Sequence, residues 1–176
     1  SVCVDSIVFK FTGFTPKGGI WSGPGLSNST DSTFKPRVAG VGTHIVKYSL
    51  GAGLCLRNDS LEVTVLPLPN VNAGPDQDTI CIKDSPVELA TQAGVNPPAG
   101  TPGSSWSGPG VSGTQFNPVI AGLGTHTITY RFKSANGCDS SDTKTIIVNP
   151  LPSVSARDTS VCRSTSGQAV QMLNAT

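Results

Sequence analysis

The chain has 176 residues, of which 36% are hydrophobic and 13% charged, and its formal net charge is +1. That length suits one large or two small domains. A near-neutral chain without a basic run excludes a surface built to neutralise nucleic-acid phosphates or anionic lipid, and without an apolar run of about 18 residues this segment is not expected to insert into a membrane.

Twenty Gly, fourteen Pro and one Met favour short strands and many turns over helices. In chain order, runs rich in Val, Ile and Thr predict strands over 2–4, 7–11, 20–21, 33–35, 43–49 and 60–65. A stiff Pro67-Leu68-Pro69 stretch then opens a linker over 67–77. Further strands are predicted over 79–82, 87–90, 105–106, 115–117, 125–132 and 143–148, followed by a second linker over 150–157. The clearest alternation sets His126, Ile128 and Tyr130 on one face, and Thr125, Thr127 and Thr129 on the other. No crossover helix is expected, so the sheets are predicted to be antiparallel.

The two halves repeat each other. Cys3 recurs as Cys81, and Trp21-Ser22-Gly23-Pro24-Gly25 as Trp106-Ser107-Gly108-Pro109-Gly110. Phe34-Lys35-Pro36 recurs as Phe116-Asn117-Pro118. Ala39-Gly40-Val41-Gly42-Thr43-His44 recurs as Ala121-Gly122-Leu123-Gly124-Thr125-His126, Tyr48 as Tyr130, and Cys55 as Cys138. A third copy opens with Asp158-Thr159-Ser160-Val161-Cys162. Self-similarity at such a period marks a tandem array. It divides the chain into repeat 1 over 1–70, repeat 2 over 71–152, and a linker with the start of repeat 3 over 153–176. Because the chain begins at Ser1 without Met or a signal peptide, it is expected to be an interior piece of a longer protein. The tail over 160–176 is expected either to be loosely ordered or to add a strand to a neighbour.

Six or seven short strands in about 80 residues predict an all-β class, with each repeat a Greek-key antiparallel β-sandwich of immunoglobulin-like form. The order Cys3, Trp21, Cys55 supports this, although Cys3 and Cys81 fall on the first strand and not the second. The repeat predicts one disulfide per copy, Cys3–Cys55 and Cys81–Cys138, with Cys162 left unpaired by truncation. Each such bridge would be worth roughly 4 kcal/mol on loop-entropy grounds and implies an oxidising, extracellular compartment.

Catalytic chemistry finds little to work with. His44 and His126 occupy equivalent positions, which favours hydrogen bonding within the fold over catalysis. The cysteines are taken up by bridges, and neither a nucleophile elbow nor a phosphate loop occurs. Trp21 and Trp106 are read as core residues, with a glycan-stacking platform as the alternative. No cofactor is expected beyond a candidate calcium site in the linker, formed by Asn72, Asp76 and Asp78, whose other reading is a solvated turn.

Asn72-Ala73-Gly74-Pro75-Asp76-Gln77, Trp-Ser-Gly-Pro-Gly, Phe-x-Pro, Ala-Gly-x-Gly-Thr-His, Asn136-Gly137-Cys138 and the closing Val148-Asn149-Pro150-Leu151-Pro152 together resemble the PKD-like or immunoglobulin-like repeats of giant cell-surface adhesins in Bacteroidota, including those of gliding motility. The polycystin-type Trp-Asp-Phe-Gly-Asp signature is absent. The resemblance covers essentially the whole chain. It implies export by the type IX system, a place at the cell surface, and a filament that grips polysaccharide or substratum through the parent protein, with neighbouring repeats as its other partners. It also brings weak O-glycosylation candidates at Asp5-Ser6-Ile7, Asp59-Ser60-Leu61 and Asp78-Thr79-Ile80. Three functions follow: a structural stalk, a polysaccharide-binding module whose loops do the gripping, or an accessory domain of a secreted hydrolase.

Overall fold

The computed structural model describes residues 1–76 and 78–155. Cys162, Asp158 and the expected behaviour of 160–176 lie outside the described residues, as does the side chain of Asp78.

Repeat 1 contains strands β1 (Val2–Cys3), β2 (Phe9–Lys10), β3 (Ile20–Ser22) and β4 (Thr33–Phe34), a helical turn α1 (Pro36–Ala39), and two long strands, β5 (Gly42–Leu50) and β6 (Arg57–Leu66). Four of them form one sheet in the order β1-β6-β5-β3, and β2 pairs with β4 in a second. Repeat 2 contains β7 (Asn72–Ala73), β8 (Asp78–Cys81), β9 (Val87–Glu88), β10 (Val95–Asn96), β11 (Ser104–Ser107), β12 (Val111–Ser112), β13 (Gln115–Phe116), α2 (Pro118–Ala121), β14 (Gly124–Lys133) and β15 (Asp139–Asn149). Its large sheet has the order β11-β14-β15-β8, opposite a three-stranded sheet β12-β13-β9. Both repeats are therefore all-β immunoglobulin-like sandwiches, with the same order in the large sheet.

The expectation of wholly antiparallel sheets is corrected at one edge. β1 runs parallel to β6, and β8 runs parallel to β15. No crossover helix is needed, because the intervening strands of the repeat themselves carry the chain back to the starting end. The expected linker over 67–77 is also too long. β7 pairs with β10, Ala73 is fully buried, and its amide donates to Asp142 Oδ2 at 2.9 Å, so repeat 2 begins by Asn72.

Each core follows the strand alternation. Ile128 and Tyr130 are fully buried while Thr125 and Thr127 face outward, as the period of two requires. Trp106, Phe116, Leu89, Ile146 and Val148 complete the core of repeat 2. Trp21, Phe34, Val46, Val63 and Val65 form that of repeat 1, with Phe9, Phe11 and Phe14 packed against it. Full burial of one such side chain is worth about 1.5–3 kcal/mol. The shared Ala-Gly-x-Gly-Thr-His segment locks the end of each helical turn: His44 Nε2 donates to the Gly40 carbonyl at 2.8 Å, and His126 Nε2 to Gly122 at 2.9 Å. Both histidines thus do the same structural work.

Candidate functional site

The feature that most distinguishes this molecule is the junction between its repeats. In repeat 1 the chain leaves the large sheet at Leu66, and β1 lies alongside with Cys3 opposite that residue. The β5–β6 connection, which carries Cys55 in a short 3-10 turn (Gly53–Cys55), is at the other end, where Leu50 faces Arg57. The ten residues of β6 separate these two ends, which at about 3.3 Å per residue is roughly 30 Å. We call them the tail pole (Cys3) and the head pole (Cys55). Repeat 2 is built alike. Cys81 lies opposite Asn149 at its tail pole, and Cys138 sits in the β14–β15 connection at its head pole.

Disulfide geometry requires Cα atoms within about 7 Å of each other, so the poles of one repeat cannot be bridged. The structure instead joins Cys3 to Cys138, with their Cα atoms 5.5 Å apart and a sequence separation of 135. The tail pole of repeat 1 is thereby linked to the head pole of repeat 2. This corrects the expected pairs Cys3–Cys55 and Cys81–Cys138. Repeat logic identified the equivalent cysteines, but the parallel β1–β6 pairing sets the two cysteines of each repeat at opposite ends. Cys55 is exposed and Cys81 half-buried, and neither is bridged.

Each half of the bridge is fixed within its own repeat by local hydrogen bonds. Cys138 is buried at 1% exposure, and its carbonyl accepts from Ser134 N at 2.8 Å and from Ser134 Oγ at 3.0 Å. On the other side, Cys3 N–H donates to Ser6 Oγ at 3.1 Å, and Val4 N–H to the Leu66 carbonyl at 2.9 Å. Between the repeats runs the segment from Pro67 to Val71, whose Asn70 carbonyl accepts from Asn96 Nδ2 at 2.8 Å. Two covalent connections thus pass from one sandwich to the next: the main chain and the disulfide.

The other candidate residues lie apart from this junction. Trp21 and Trp106 are buried at 4% and 8% exposure, with Trp106 stacked on Tyr130 at a centroid distance of 4.4 Å. Neither indole presents a face to solvent in the manner of a sugar platform. The Trp106 Nε1–H is buried without a hydrogen-bond partner, and Trp106 also lines a cavity of about 410 Å³ with Thr101, Pro102, Ser104 and Thr114 among others. In the linker, Asn72 Oδ1 accepts from Gly74 N at 2.7 Å and Asp76 Oδ1 from Thr145 N at 3.1 Å, so both serve the entrance to repeat 2. Among the described residues no group of three His, Cys, Asp or Glu comes together.

Fold and junction define the class: tandem immunoglobulin-like β-sandwiches, covalently stapled from repeat to repeat. No protein-family profile matches the chain, and no curated protein does. Among solved structures, it is similar to the insect immune protein hemolin, whose domain arrangement was described with implications for homophilic adhesion. The identity is 12% and the TM-score 0.35, over 86% of this chain and 44% of the hemolin chain. This chain therefore spans less than half of that neighbour's length.

Proposed function

We propose that this chain is a spacer segment of a long extracellular surface adhesin, in which each sandwich is a stiff unit of a stalk and gripping of polysaccharide or substratum belongs to the parent protein. The carrying observation is the Cys3–Cys138 bridge across the linker. A second covalent strand between domains removes the hinge freedom that domains on a single linker ordinarily have. The bridge also supports an oxidising location, and among the described residues no helix is long and apolar enough to cross a membrane. Gliding motility and type IX export enter this reading only through the resemblance of the repeat motifs.

A second reading, that the repeats themselves bind polysaccharide, draws on the cavity that Trp106, with its unpartnered Nε1, lines together with the 100–104 loop. One experiment separates the two. The chain is titrated against a panel of surface polysaccharides with and without calcium, and small-angle scattering is recorded before and after reduction. A stalk gives no saturable binding and an elongated, narrow distance distribution that broadens on reduction. Saturable binding abolished by Trp106→Phe, in a protein that keeps its fold, would sink the spacer reading.

A further inference from the structure

Cys55 and Cys81 are the described cysteines outside the bridge, and each occupies a position already used by the bridge in the other repeat. Cys55 stands at the head pole of repeat 1, where Cys138 stands in repeat 2: both lie in the turn joining the two long strands. Cys81 stands at the tail pole of repeat 2 as Cys3 does in repeat 1. The local structure of this second pair is the same. Cys3 pairs in parallel register with the end of β6, and Cys81 with the end of β15. Cys3 N–H donates to Ser6 Oγ at 3.1 Å while Ser6 N–H donates back to the Cys3 carbonyl at 3.0 Å. Cys81 N–H donates to Asp84 Oδ2 at 2.7 Å while Asp84 N–H donates back to the Cys81 carbonyl at 3.0 Å. The two thiols lie at the poles that the Cys3–Cys138 bridge leaves unused.

We propose that Cys55 and Cys81 are the two halves of a further head-to-tail junction, each closing a disulfide with the complementary pole of another repeat of this kind. Cys55 takes a tail-pole cysteine and Cys81 takes a head-pole cysteine, so the bridges continue the pattern of Cys3–Cys138 along an array. This rests on the tandem-stalk reading and specifies how its units are joined. Chemically, two thiols are oxidised and a small-molecule disulfide is reduced. Cys55 first exchanges with glutathione disulfide, releasing one glutathione. The Cys81 thiolate then attacks the Cys55 sulfur, the Cys55–glutathione bond breaks, the Cys55–Cys81 bond forms, and a second glutathione leaves as thiolate. Cys55 is exposed and Cys81 partly so, which gives an incoming sulfur access.

A second copy of this chain is the probe. The full chain carrying Cys162→Ser, so that no third thiol competes, is prepared in ¹⁴N and ¹⁵N forms. The two are mixed at high concentration in a glutathione redox buffer, and disulfide peptides are mapped by mass spectrometry. Complementary poles predict Cys55–Cys81 links between copies in excess of Cys55–Cys55 and Cys81–Cys81 links by at least about tenfold. Cys81→Ser abolishes the heterotypic link, and the Cys3–Cys138 peptide in the same digest reports that the fold is intact. Statistical mixing of the three pairings, or no intermolecular link while Cys3–Cys138 is closed, overturns the proposal. Either result leaves the polysaccharide titration of the spacer reading untouched, so the two ideas fail separately.

Discussion

Repeat 1 and repeat 2 reach the same sandwich by different packing. In repeat 1, Trp21 is surrounded by rings: Phe11 and Phe14 lie 5.1 Å away and Tyr48 4.8 Å away, while Phe9 and Phe11 also meet Phe34. In repeat 2, Trp106 stacks on Tyr130 and Phe116 is the other buried ring of the core, with aliphatic side chains such as Leu89, Ile80, Ile82, Val95 and Val111 filling the remainder. The latch tyrosines differ accordingly. Tyr130 is fully buried and donates to the Pro97 carbonyl at 2.6 Å. Tyr48 is only half-buried; its hydroxyl donates to Pro16 O at 2.7 Å and accepts from Gly19 N at 2.8 Å. The two helical turns differ as well. Asn117 caps α2 by accepting from Val119 N at 3.0 Å and Ile120 N at 3.3 Å, whereas Lys35 provides no side-chain cap for α1. The strand order and the poles are common property of the repeat, and the side chains that fill and trim it are not.

The largest effect should come from emptying one core at a time. Phe34→Ala and Phe116→Ala each remove a fully buried ring and should cost about 3–5 kcal/mol. With the bridge reduced, denaturant unfolding followed by residue-resolved exchange should show only the mutated repeat melting early. Joint melting would mean the sandwiches are not independent units.

Next comes the bridge. Cys3→Ser should lower stability by roughly 2–4 kcal/mol and affect both repeats, because it removes a tie that encloses parts of each. Cys55→Ser should shift neither transition in the isolated chain. If Cys55→Ser destabilises repeat 1 as much as Cys3→Ser does, the pairing within a repeat is restored and the junction is wrong.

Smaller still, Tyr130→Phe leaves the part-buried Pro97 carbonyl without its donor and should cost about 1–3 kcal/mol, whereas Tyr48→Phe, whose bond to Pro16 is exposed, should stay near 1 kcal/mol or below. Asn117→Ala should cost about 1 kcal/mol and Lys35→Ala close to nothing. The faintest contrast is a pH effect. The Thr33 hydroxyl, at 2.6 Å, is the main influence holding the Asp31 carboxyl below its ordinary range, with the charge of Lys10 assisting. A depressed folded-state pKa contributes stability that is present above the unfolded value and lost as pH falls through the folded one. A chemical-denaturation series in acid should therefore show Asp31→Asn flattening the acid loss of repeat 1 alone.

Much of this was legible in the sequence. The repeat motifs mark equivalent positions, and Trp, Phe-x-Pro, the Gly-Thr-His segment and Tyr all reappear in the structure as matched packing and hydrogen bonds. Alternation along 125–130 gave the correct inward face because a half-buried strand has a period of two. The disulfide partners were not legible. Sequence repetition says which cysteines are equivalent but not which poles they occupy, and that depends on the parallel pairing of the first and last strands, a contact between residues some sixty apart. The same edge defeated the antiparallel expectation. The linker was overestimated because Asn72, Asp76 and their neighbours look like a polar turn, and long-range contacts, the β7–β10 pairing and the bonds to Asp142 and Thr145, make them part of repeat 2.

The bridge also determines what tension can do to this chain. Suppose the molecule is pulled from Ser1 and from the far end of β15. Force enters at the first residues, reaches Cys3, and crosses directly through sulfur to Cys138. The stretch between those two cysteines is bypassed, so both sandwiches could lose their hydrogen bonds without the ends moving further apart by that length. At roughly 3.3–3.6 Å per extended residue, the sequence separation of 135 between Cys3 and Cys138 amounts to about 450 Å of slack that a mechanical load cannot draw out. Reducing agents would release it, so extensibility in this chain is governed by thiol chemistry more than by the strength of its sheets.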